Sequence, residues 1–235
     1  MNLSNIVGSG FIAKSFKSKN RFFKKNKCLL YAAGVSNSNS KNRRIFTKDF
    51  NRLKKIKNFS SNLKIIYISS CSIGDPTRNN SLYIKNKIKI EKFIKKYFKS
   101  YLIIRLPEII GKNKNKNTLV NFFYNNIKKN KKMILYKNAF RNFIYIGDVI
   151  NILTEIIKKK NNNLIINIAS SNMTNVYKIV NIFEKLLNKK ANLNFRKYTN
   201  KKFKININKI KNLKSFKKIN FDENYLNKYL ATYLK

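Results

Sequence analysis

Histidine and tryptophan are absent from this 235-residue sequence, and it has only two cysteines and two prolines. Without histidine the chain cannot form a Ser-His-Asp triad or a Cys-His nucleophile pair. Cys28 and Cys71 stand far apart, so the spacing of a zinc site is missing and no metal is expected. Acid–base chemistry must then come from tyrosine, lysine, aspartate or glutamate.

Long apolar runs are also missing. No stretch of about 18 apolar residues occurs, and the N-terminus lacks a basic region followed by an apolar run. We therefore expect no membrane insertion. Two isolated cysteines fit a reducing compartment, so the expected location is the cytoplasm.

Acidic residues are scarce, with 9 against 53 basic residues and a formal charge of +44. Such a charge is typical of nucleic-acid-binding proteins. However, 45 of the basic residues are Lys and only 8 are Arg, and with 40 Asn and 33 Ile they are spread along the chain. Lys, Asn and Ile share A/T-rich codons, so an AT-rich genome explains the bias. Nucleic-acid binders more typically cluster Arg, which binds guanine and phosphate bidentately. No specific nucleic-acid partner is expected, and nucleic-acid binding remains a lesser alternative.

Apolar patterning predicts alternating strands and helices. Nearly continuous apolar strands that alternate with helices are typical of a parallel sheet in an α/β domain. Looser patterns after Gly111 predict a small α+β lobe. The patterns predict strands at 28–34, 63–68, 101–107, 133–136, 142–146 and 164–168, and helices at 48–59, 81–98, 119–127, 148–158, 174–187 and 224–234.

The opening residues 5–13 predict a further short strand, a glycine turn and the first turn of a helix. Gly8, Gly10 and Ala13 form a Gly-x-Gly-x-x-Ala pattern. The first glycine permits a tight turn, the second lets the backbone approach a pyrophosphate, and the small third residue lets the helix pack on the strand. The pattern favours a dinucleotide site, although glycine turns also occur at ordinary strand ends.

Tyr83 and Lys87 are four residues apart and share one face of a predicted helix. A nearby cation favours the phenolate, so Lys87 would lower the pKa of Tyr83 from its ordinary value of about 10. The spacing alone decides nothing, because it recurs at Tyr124 and Tyr198. What distinguishes Tyr83 is its place, since its helix follows a strand that ends at Ser70.

In their order, these motifs resemble the NAD-dependent epimerase/dehydratase family, the extended short-chain dehydrogenases/reductases that act on nucleotide sugars. The resemblance spans nearly the whole chain. It rests on the glycine turn, on the Tyr83/Lys87 pair and on the segments 30–34 (Leu-Tyr-Ala-Ala-Gly), 67–76 (Tyr-Ile-Ser-Ser-Cys-Ser-Ile-Gly-Asp-Pro), 105–111 (Arg-Leu-Pro-Glu-Ile-Ile-Gly), 141–149 (Arg-Asn-Phe-Ile-Tyr-Ile-Gly-Asp-Val) and 167–170 (Asn-Ile-Ala-Ser).

The resemblance implies an α/β fold, a Rossmann-like parallel sheet with helices on both faces, plus a small C-terminal α+β substrate lobe. Only the residues between Ala13 and Cys28 are available for a helix and the family's second and third strands, so the sheet is expected to be trimmed at its strand 2/3 edge. The implied domains are a cofactor-binding core at 1–111, to which 142–170 return, and a lobe at 112–141 and 171–235.

The resemblance also assigns roles. Tyr83 would be the acid/base on a sugar hydroxyl, Lys87 would hold the nicotinamide ribose, and Ser70, or else Ser69, would hydrogen-bond the reacting oxygen. Glu108 stands where an amide is usual, and a carboxylate near a diphosphate is unfavourable. The implied cofactor residues are Gly8, Gly10, Phe11, Ile12, Ala13, Ala32, Ala33, Gly34 and Pro107, and the implied substrate residues are Arg141, Asn117 and Glu108.

The function expected from the resemblance is an NAD- or NADP-dependent epimerase/reductase, an isomerase or oxidoreductase acting on a nucleotide sugar in polysaccharide biosynthesis. A homodimer is one candidate assembly. The acidic residue that normally binds the adenosine ribose is missing, since Arg21, Lys24, Lys25 and Lys27 occupy that segment. The positive charges of these side chains either favour the 2′-phosphate of NADP or are simply solvated. The alternative is a trimmed family member that binds a nucleotide without turnover.

Overall fold

The structure, a computed structural model, describes residues 4–60, 62–78, 80–113, 115–116, 118–197 and 203–234. It divides into two compact units. The first comprises Met1–Leu106 and Ile150–Ile168, and the second comprises Pro107–Val149 and Ala169–Lys235. The unit boundaries thus lie at 106/107, 149/150 and 168/169, while the sequence predicts them at 111/112, 141/142 and 170/171.

The strands are β1 Ile6–Val7, β2 Cys28–Tyr31, β3 Lys64–Ser70, β4 Tyr101–Leu106, β5 Glu108–Ile110, β6 Met133–Tyr136, β7 Phe140–Tyr145, β8 Leu164–Asn167, β9 Met173–Asn175 and β10 Leu193–Arg196. The α-helices are α1 Phe11–Ser15, α2 Asn20–Lys25, α3 Arg43–Phe59, α4 Leu82–Tyr97, α5 Leu119–Lys128, α6 Ile146–Lys158, α7 Val176–Leu187, α8 Lys214–Lys217 and α9 Glu223–Leu230. Short 3-10 turns span Lys17–Lys19, Cys71–Gly74, Pro76–Arg78 and Ala231–Tyr233.

The first unit is built on one sheet with the strand order β1-β2-β3-β4-β8. All neighbouring strands are parallel. The predicted Rossmann-like parallel sheet is therefore confirmed. β2 is buried along its whole length and β3 is buried beyond Lys64, as expected when both faces of a parallel sheet are covered.

Alternate residues of the central strands face opposite sides of this sheet. On one side, Leu29, Tyr31, Ile65, Tyr67 and Ile103 pack against α3 and α4, whose contributions include Leu53, Ile90 and Ile94. The intervening residues Leu30, Ile66 and Leu102 are equally buried and face the other side. The near-continuous apolar runs of the sequence thus arise because both faces of the strands are buried.

The sheet is trimmed at the β1 edge, as predicted. All of residues 14–27 are described, and they form the Lys17–Lys19 turn and α2 but no strand. Asn5 and Val7 direct their carbonyls to β2, so Ile6 turns its backbone groups to the open edge. There the Ser4 hydroxyl accepts from Ile6 N and donates to Ile6 O, both at 3.2 Å. A side chain thereby occupies backbone groups that an adjoining strand would otherwise bind.

The second unit is the predicted small α+β lobe. β5 pairs parallel with β7, β7 pairs antiparallel with β9, and β6 pairs parallel with β10. Its core includes Phe123, Phe143, Phe183 and Leu230. The prediction that Asp148 caps a helix is wrong: α6 already begins at Ile146, and Asp148 lies in its first turn.

Within the described ranges, no helix is long and apolar enough to cross a bilayer. Among the same residues, no group of three or more His, Cys, Asp or Glu side chains is arranged to hold a metal ion.

Candidate functional site

The turn after β1 requires a glycine at its first position. Gly8 has φ +135°, a backbone conformation that other residues rarely adopt. A Cβ at Gly8 would lie 2.6 Å from the carbonyl oxygen of Ala32 and 3.0 Å from the amide nitrogen of Ala33. Two predicted parts of the cofactor site, the glycine turn and the segment after β2, therefore touch at Gly8.

Gly10 differs, because it faces open space. It is the N-cap of α1 with φ −76°, and a Cβ there would meet no atom within 4 Å. Phe11 and Ile12 follow, half-buried, and Ala13 packs inward at 2% exposure. The turn thus leaves room beside Gly10 for a bound group. Its helix is only five residues long, so the dipole that it offers an anion is small.

The segment after β2 connects the glycine turn to Lys87. The Arg52 guanidinium donates to the Ala33 carbonyl at 3.2 Å. A Cβ at Gly34 would lie 3.0 Å from the Lys87 Nζ. A side chain at position 34 would therefore displace the lysine.

Lys87 is almost fully buried, at 5% exposure. Its Nζ donates to the Ile68 carbonyl at 3.0 Å and lies 5.0 Å from the ring centre of Tyr67. Burial lowers the pKa of Lys87 to about 8, against the opposing effect of Asp49 and Glu91. Burial thus destabilises the Lys87 ammonium, and the two carboxylates stabilise it.

Tyr83 lies in the first turn of α4, half-buried, with its ring centre 5.5 Å from the Lys87 Nζ. The structure thus brings together the predicted Tyr83/Lys87 pair. A second Tyr/Lys pair with the same spacing, Tyr124 and Lys128 in the second unit, has a similar geometry. The Lys128 Nζ lies 5.8 Å from the ring centre of Tyr124. Tyr198 lies outside the described residues. The surroundings of Tyr83, rather than its spacing from a lysine, set it apart.

The two candidate serines at the end of β3 have different partners. The Ser69 hydroxyl donates to Glu91 Oε1 at 2.6 Å and is buried. Ser70 points to the opposite face of the strand, where its hydroxyl accepts from Ser72 N at 3.2 Å and caps the Cys71–Gly74 turn. Ser69 is therefore part of a carboxylate network, and the assignment of Ser70 to the reacting oxygen stays a prediction.

Two buried carboxylates beside Lys87 were not predicted as site residues. Asp49 accepts from the Tyr31 hydroxyl at 2.6 Å and from Asn86 Nδ2 at 3.3 Å. Glu91 accepts two hydrogen bonds from the Arg105 guanidinium, at 2.9 and 2.6 Å. A sequence signal existed for Asp49, because it shares the inward stripe of α3 with the buried Phe46 and Leu53.

The predicted substrate residues belong to the second unit. Glu108 opens β5, directly after Pro107, a predicted cofactor residue that lies in the same unit. Arg141 lies on β7, half-buried, and its guanidinium donates to the Phe140 carbonyl at 2.8 Å. Asn117 lies outside the described residues. The cofactor and catalytic candidates of the glycine turn, β3 and α4 all belong to the first unit.

A comparison with family models identifies the relatives of this chain. Residues 28–169 match the model of the NAD dependent epimerase/dehydratase family. The chain belongs to this family. The match begins at β2 and so leaves out both the glycine turn and residues 14–27, where the sheet is trimmed. A search of curated protein sequences gave no match.

Solved structures of similar fold include sugar-nucleotide enzymes. The UDP-N-acetylglucosamine 4-epimerase from Bacillus cereus has a TM-score of 0.70 and 16% identity, over 97% of this chain and 94% of that one. The dTDP-glucose 4,6-dehydratase from Bacillus anthracis, solved with NAD, has a TM-score of 0.70 and 16% identity, over 96% and 78%. The UDP-glucuronic acid 4-epimerase from Bacillus cereus, solved with UDP-glucuronic acid and NAD, has a TM-score of 0.67 and 19% identity, over 86% and 72%. At these identities the similarity concerns the fold.

Proposed function

We propose that this family member is an NAD-dependent epimerase/reductase of nucleotide sugars. The observation that carries the proposal is the half-buried Tyr83 beside the Lys87 ammonium, at the carboxyl end of the parallel sheet and next to Gly34. Ligands of open α/β sheets bind at the carboxyl ends of the strands. The bound NAD of the similar structures supports NAD over NADP.

The residues of the first unit fit a dinucleotide over its diphosphate and nicotinamide parts. Gly8 holds the turn tightly against Ala32, and the open space at Gly10 admits a diphosphate. Gly34 adds no side chain above the buried Lys87 ammonium, which would donate to a ribose hydroxyl of the bound dinucleotide. The adenosine part fits less well, because residues 14–27 carry no carboxylate and form helical turns in place of a strand.

Bound NAD supplies the exchange of a hydride with a carbon of the sugar. The chain supplies the proton transfer. Tyr83 takes or gives the proton of the sugar hydroxyl, and the Lys87 cation 5.5 Å from its ring centre favours the phenolate during that transfer. Ser70, at the end of β3, would hydrogen-bond the reacting oxygen.

Dehydration is disfavoured at this site. The residue after Ser70 is Cys71, where a dehydratase needs an acid to protonate the leaving hydroxyl. Burial raises the pKa of the Cys71 thiol to about 12, and the thiol donates to the Arg105 carbonyl at 3.3 Å. A neutral thiol turned to the backbone is a poor proton donor, so epimerisation or keto-group reduction is the favoured chemistry.

The proposal includes polysaccharide biosynthesis as the purpose, a homodimer as a candidate assembly and the cytoplasm as the location. The two buried free thiols, Cys28 and Cys71, support a reducing compartment. In the second unit, Arg141 remains the proposed partner of the substrate diphosphate, because a guanidinium binds phosphate oxygens bidentately. Glu108 is a weaker candidate, since its charge would repel the same group.

The test is turnover of a panel of UDP- and dTDP-sugars by the NAD-loaded protein. Wild type is expected to convert at least one of them, and Tyr83→Phe should lower kcat by about 10²-fold or more, the usual contribution of a positioned acid/base. Tyr124→Phe is the matched control, because it removes the hydroxyl of the similar Tyr/Lys pair in the second unit. Equal activity of Tyr83→Phe and wild type would contradict the proposal.

The adenosine side of the site favours a second function, nucleotide binding without turnover. Residues 14–27 form no strand and carry no carboxylate, so fewer groups are available to bind the adenosine. Saturable NAD binding with no conversion of any sugar in the panel would support this alternative over the enzyme.

A further inference from the structure

The acidic residues carry information in a chain so rich in lysine. Of its nine acids, Asp49 and Glu91 are buried beside Lys87, at 2% and 4% exposure. Carboxylates are rarely buried unless they are paired. Each of the two therefore needs a partner that compensates its charge.

Glu91 is compensated by Arg105. The guanidinium donates to both carboxylate oxygens, and Ser69 adds a third hydrogen bond. Such a bidentate pair satisfies the charge of both partners. The field that Glu91 exerts on Lys87 is therefore partly cancelled by Arg105.

Asp49 is placed differently. The two hydrogen bonds that its side chain accepts come from neutral groups, the Tyr31 hydroxyl and the Asn86 amide. Its Oδ2 and the Lys87 Nζ both lie close to one point, 3.7 and 3.0 Å from where a Cβ at Gly34 would stand. A buried carboxylate and a buried ammonium thus share the space under Gly34.

We propose that Asp49 is a positioning residue whose carboxylate, without a direct ion pair to Lys87, keeps that lysine protonated where its ammonium lies beside Gly34 and Tyr83. The inference rests on the proposed function, because a charged Lys87 matters for catalysis only if Tyr83 transfers a proton. Asp49 acts through Lys87 and is not itself required to touch substrate or cofactor. Asn86, next to Lys87 on α4, ties that helix directly to the Asp49 carboxylate.

The groups that face Lys87 set the direction of the effect. They are Asp49 from α3, Glu91 and Tyr83 from α4, and Tyr67 from β3. Arg52 of α3 donates to the Ala33 carbonyl and also interacts with the Tyr31 hydroxyl that binds Asp49. Burial lowers the pKa of Lys87 to about 8, and Asp49 is the larger of the two opposing influences. A nearby opposite charge favours the charged form, so removal of Asp49 should lower the pKa of Lys87, by about one unit at the low end of the usual range.

The absence of histidine makes this shift measurable through stability. Because the folded pKa of Lys87 is below the unfolded value of about 10.4, the unfolded state binds more protons above the folded pKa, and stability rises with pH there. The contribution of Lys87 to stability should therefore be nearly flat between about pH 6 and 7.5 and rise above about 8, by up to about tenfold in the folding equilibrium per pH unit. The Cys28 and Cys71 thiols, whose pKa values burial raises, contribute the opposite slope above about pH 8.5, in wild type and variant alike. The readout is therefore the difference between the two profiles, in which the rise contributed by Lys87 should begin about one pH unit lower in Asp49→Asn.

The experiment is urea unfolding of wild type, Asp49→Asn and Tyr31→Phe across about pH 6 to 9. Tyr31→Phe is the matched control, because it removes a hydrogen bond to Asp49 but keeps its charge, and its profile should follow wild type. In an Asp49→Asn/Lys87→Met double variant the early rise should vanish. If Asp49→Asn does not fold, Asp49→Ser, which buries no amide, takes its place. Identical pH profiles for wild type and the neutral variants would overturn the proposal.

The same variants separate this inference from the proposed function. The stability profile needs no cofactor, so it decides the role of Asp49 even if NAD does not bind. If wild type turns over a nucleotide sugar, the optimum of kcat in Asp49→Asn should move to lower pH, where Lys87 regains its proton. A merely structural Asp49 would lower stability without moving either profile.

Discussion

Replacing each glycine of the turn by alanine should lower stability by very different amounts. Gly8 has φ +135°, and an added Cβ would lie 2.6 Å from the Ala32 carbonyl oxygen. A backbone conformation of this kind costs a residue other than glycine about 1–3 kcal/mol, and overpacking adds about 1–3 kcal/mol. Gly8→Ala should therefore lose about 2–6 kcal/mol, a large part of a typical stability of about 5–15 kcal/mol.

Gly10→Ala is the matched variant, two residues along the same turn. Gly10 has φ −76° and no atom within 4 Å of an added Cβ. Its cost is limited to the poorer N-cap, about 1 kcal/mol or less. Urea unfolding at pH 7 measures both, with an unchanged denaturant slope as the check that the unfolding reaction is the same. Equal losses for the two variants would refute the reasoning.

Two further predictions concern buried carboxylates. Glu91→Gln should cost about 3–5 kcal/mol, because it breaks a buried pair with Arg105. Glu155→Gln loses a partly exposed 3.9 Å pair with Lys159 and should cost about 0.5 kcal/mol. Similar losses in urea unfolding would contradict this. Burial raises the pKa of Asp148, so the folded state keeps that proton to a higher pH than the unfolded state does, and stability falls as pH rises above about 4. Asp148→Asn should remove this fall in a series of melting temperatures, and an unchanged series would count against it.

Much of the first unit could be predicted because its signals are local. Buried parallel strands appear as apolar runs, and α4 carries Tyr83 and Lys87 one turn apart. Strands β5, β9 and β10 were missed because each has only three or four residues and depends on a distant partner strand. The predicted start of α6 was also wrong, because contacts with a distant residue surround it. The Tyr225 hydroxyl accepts from Tyr145 N and donates to Asp148. No local pattern contains these contacts, which span about 80 residues.

The candidate site likewise has one part that the sequence predicts and another that only the fold reveals. The glycine turn and the Tyr83/Lys87 pair are motifs and can be recognised in the sequence. Asp49 is one acid on the inward stripe of α3, and its importance depends on Tyr31, 18 residues earlier, and on Asn86, 37 residues later. Only the folded chain brings these three side chains together under Lys87.

The central claim, that this shortened family member still binds NAD, is tested most directly by calorimetric titration of the protein with NAD, alongside Gly10→Val. The account predicts saturable binding to wild type below about 1 mM, which corresponds to about −4 kcal/mol. Gly10→Val should remain folded and bind at least about tenfold more weakly, because its side chain fills the open space beside the turn. No binding to wild type at millimolar NAD, or undiminished binding to Gly10→Val, would contradict it.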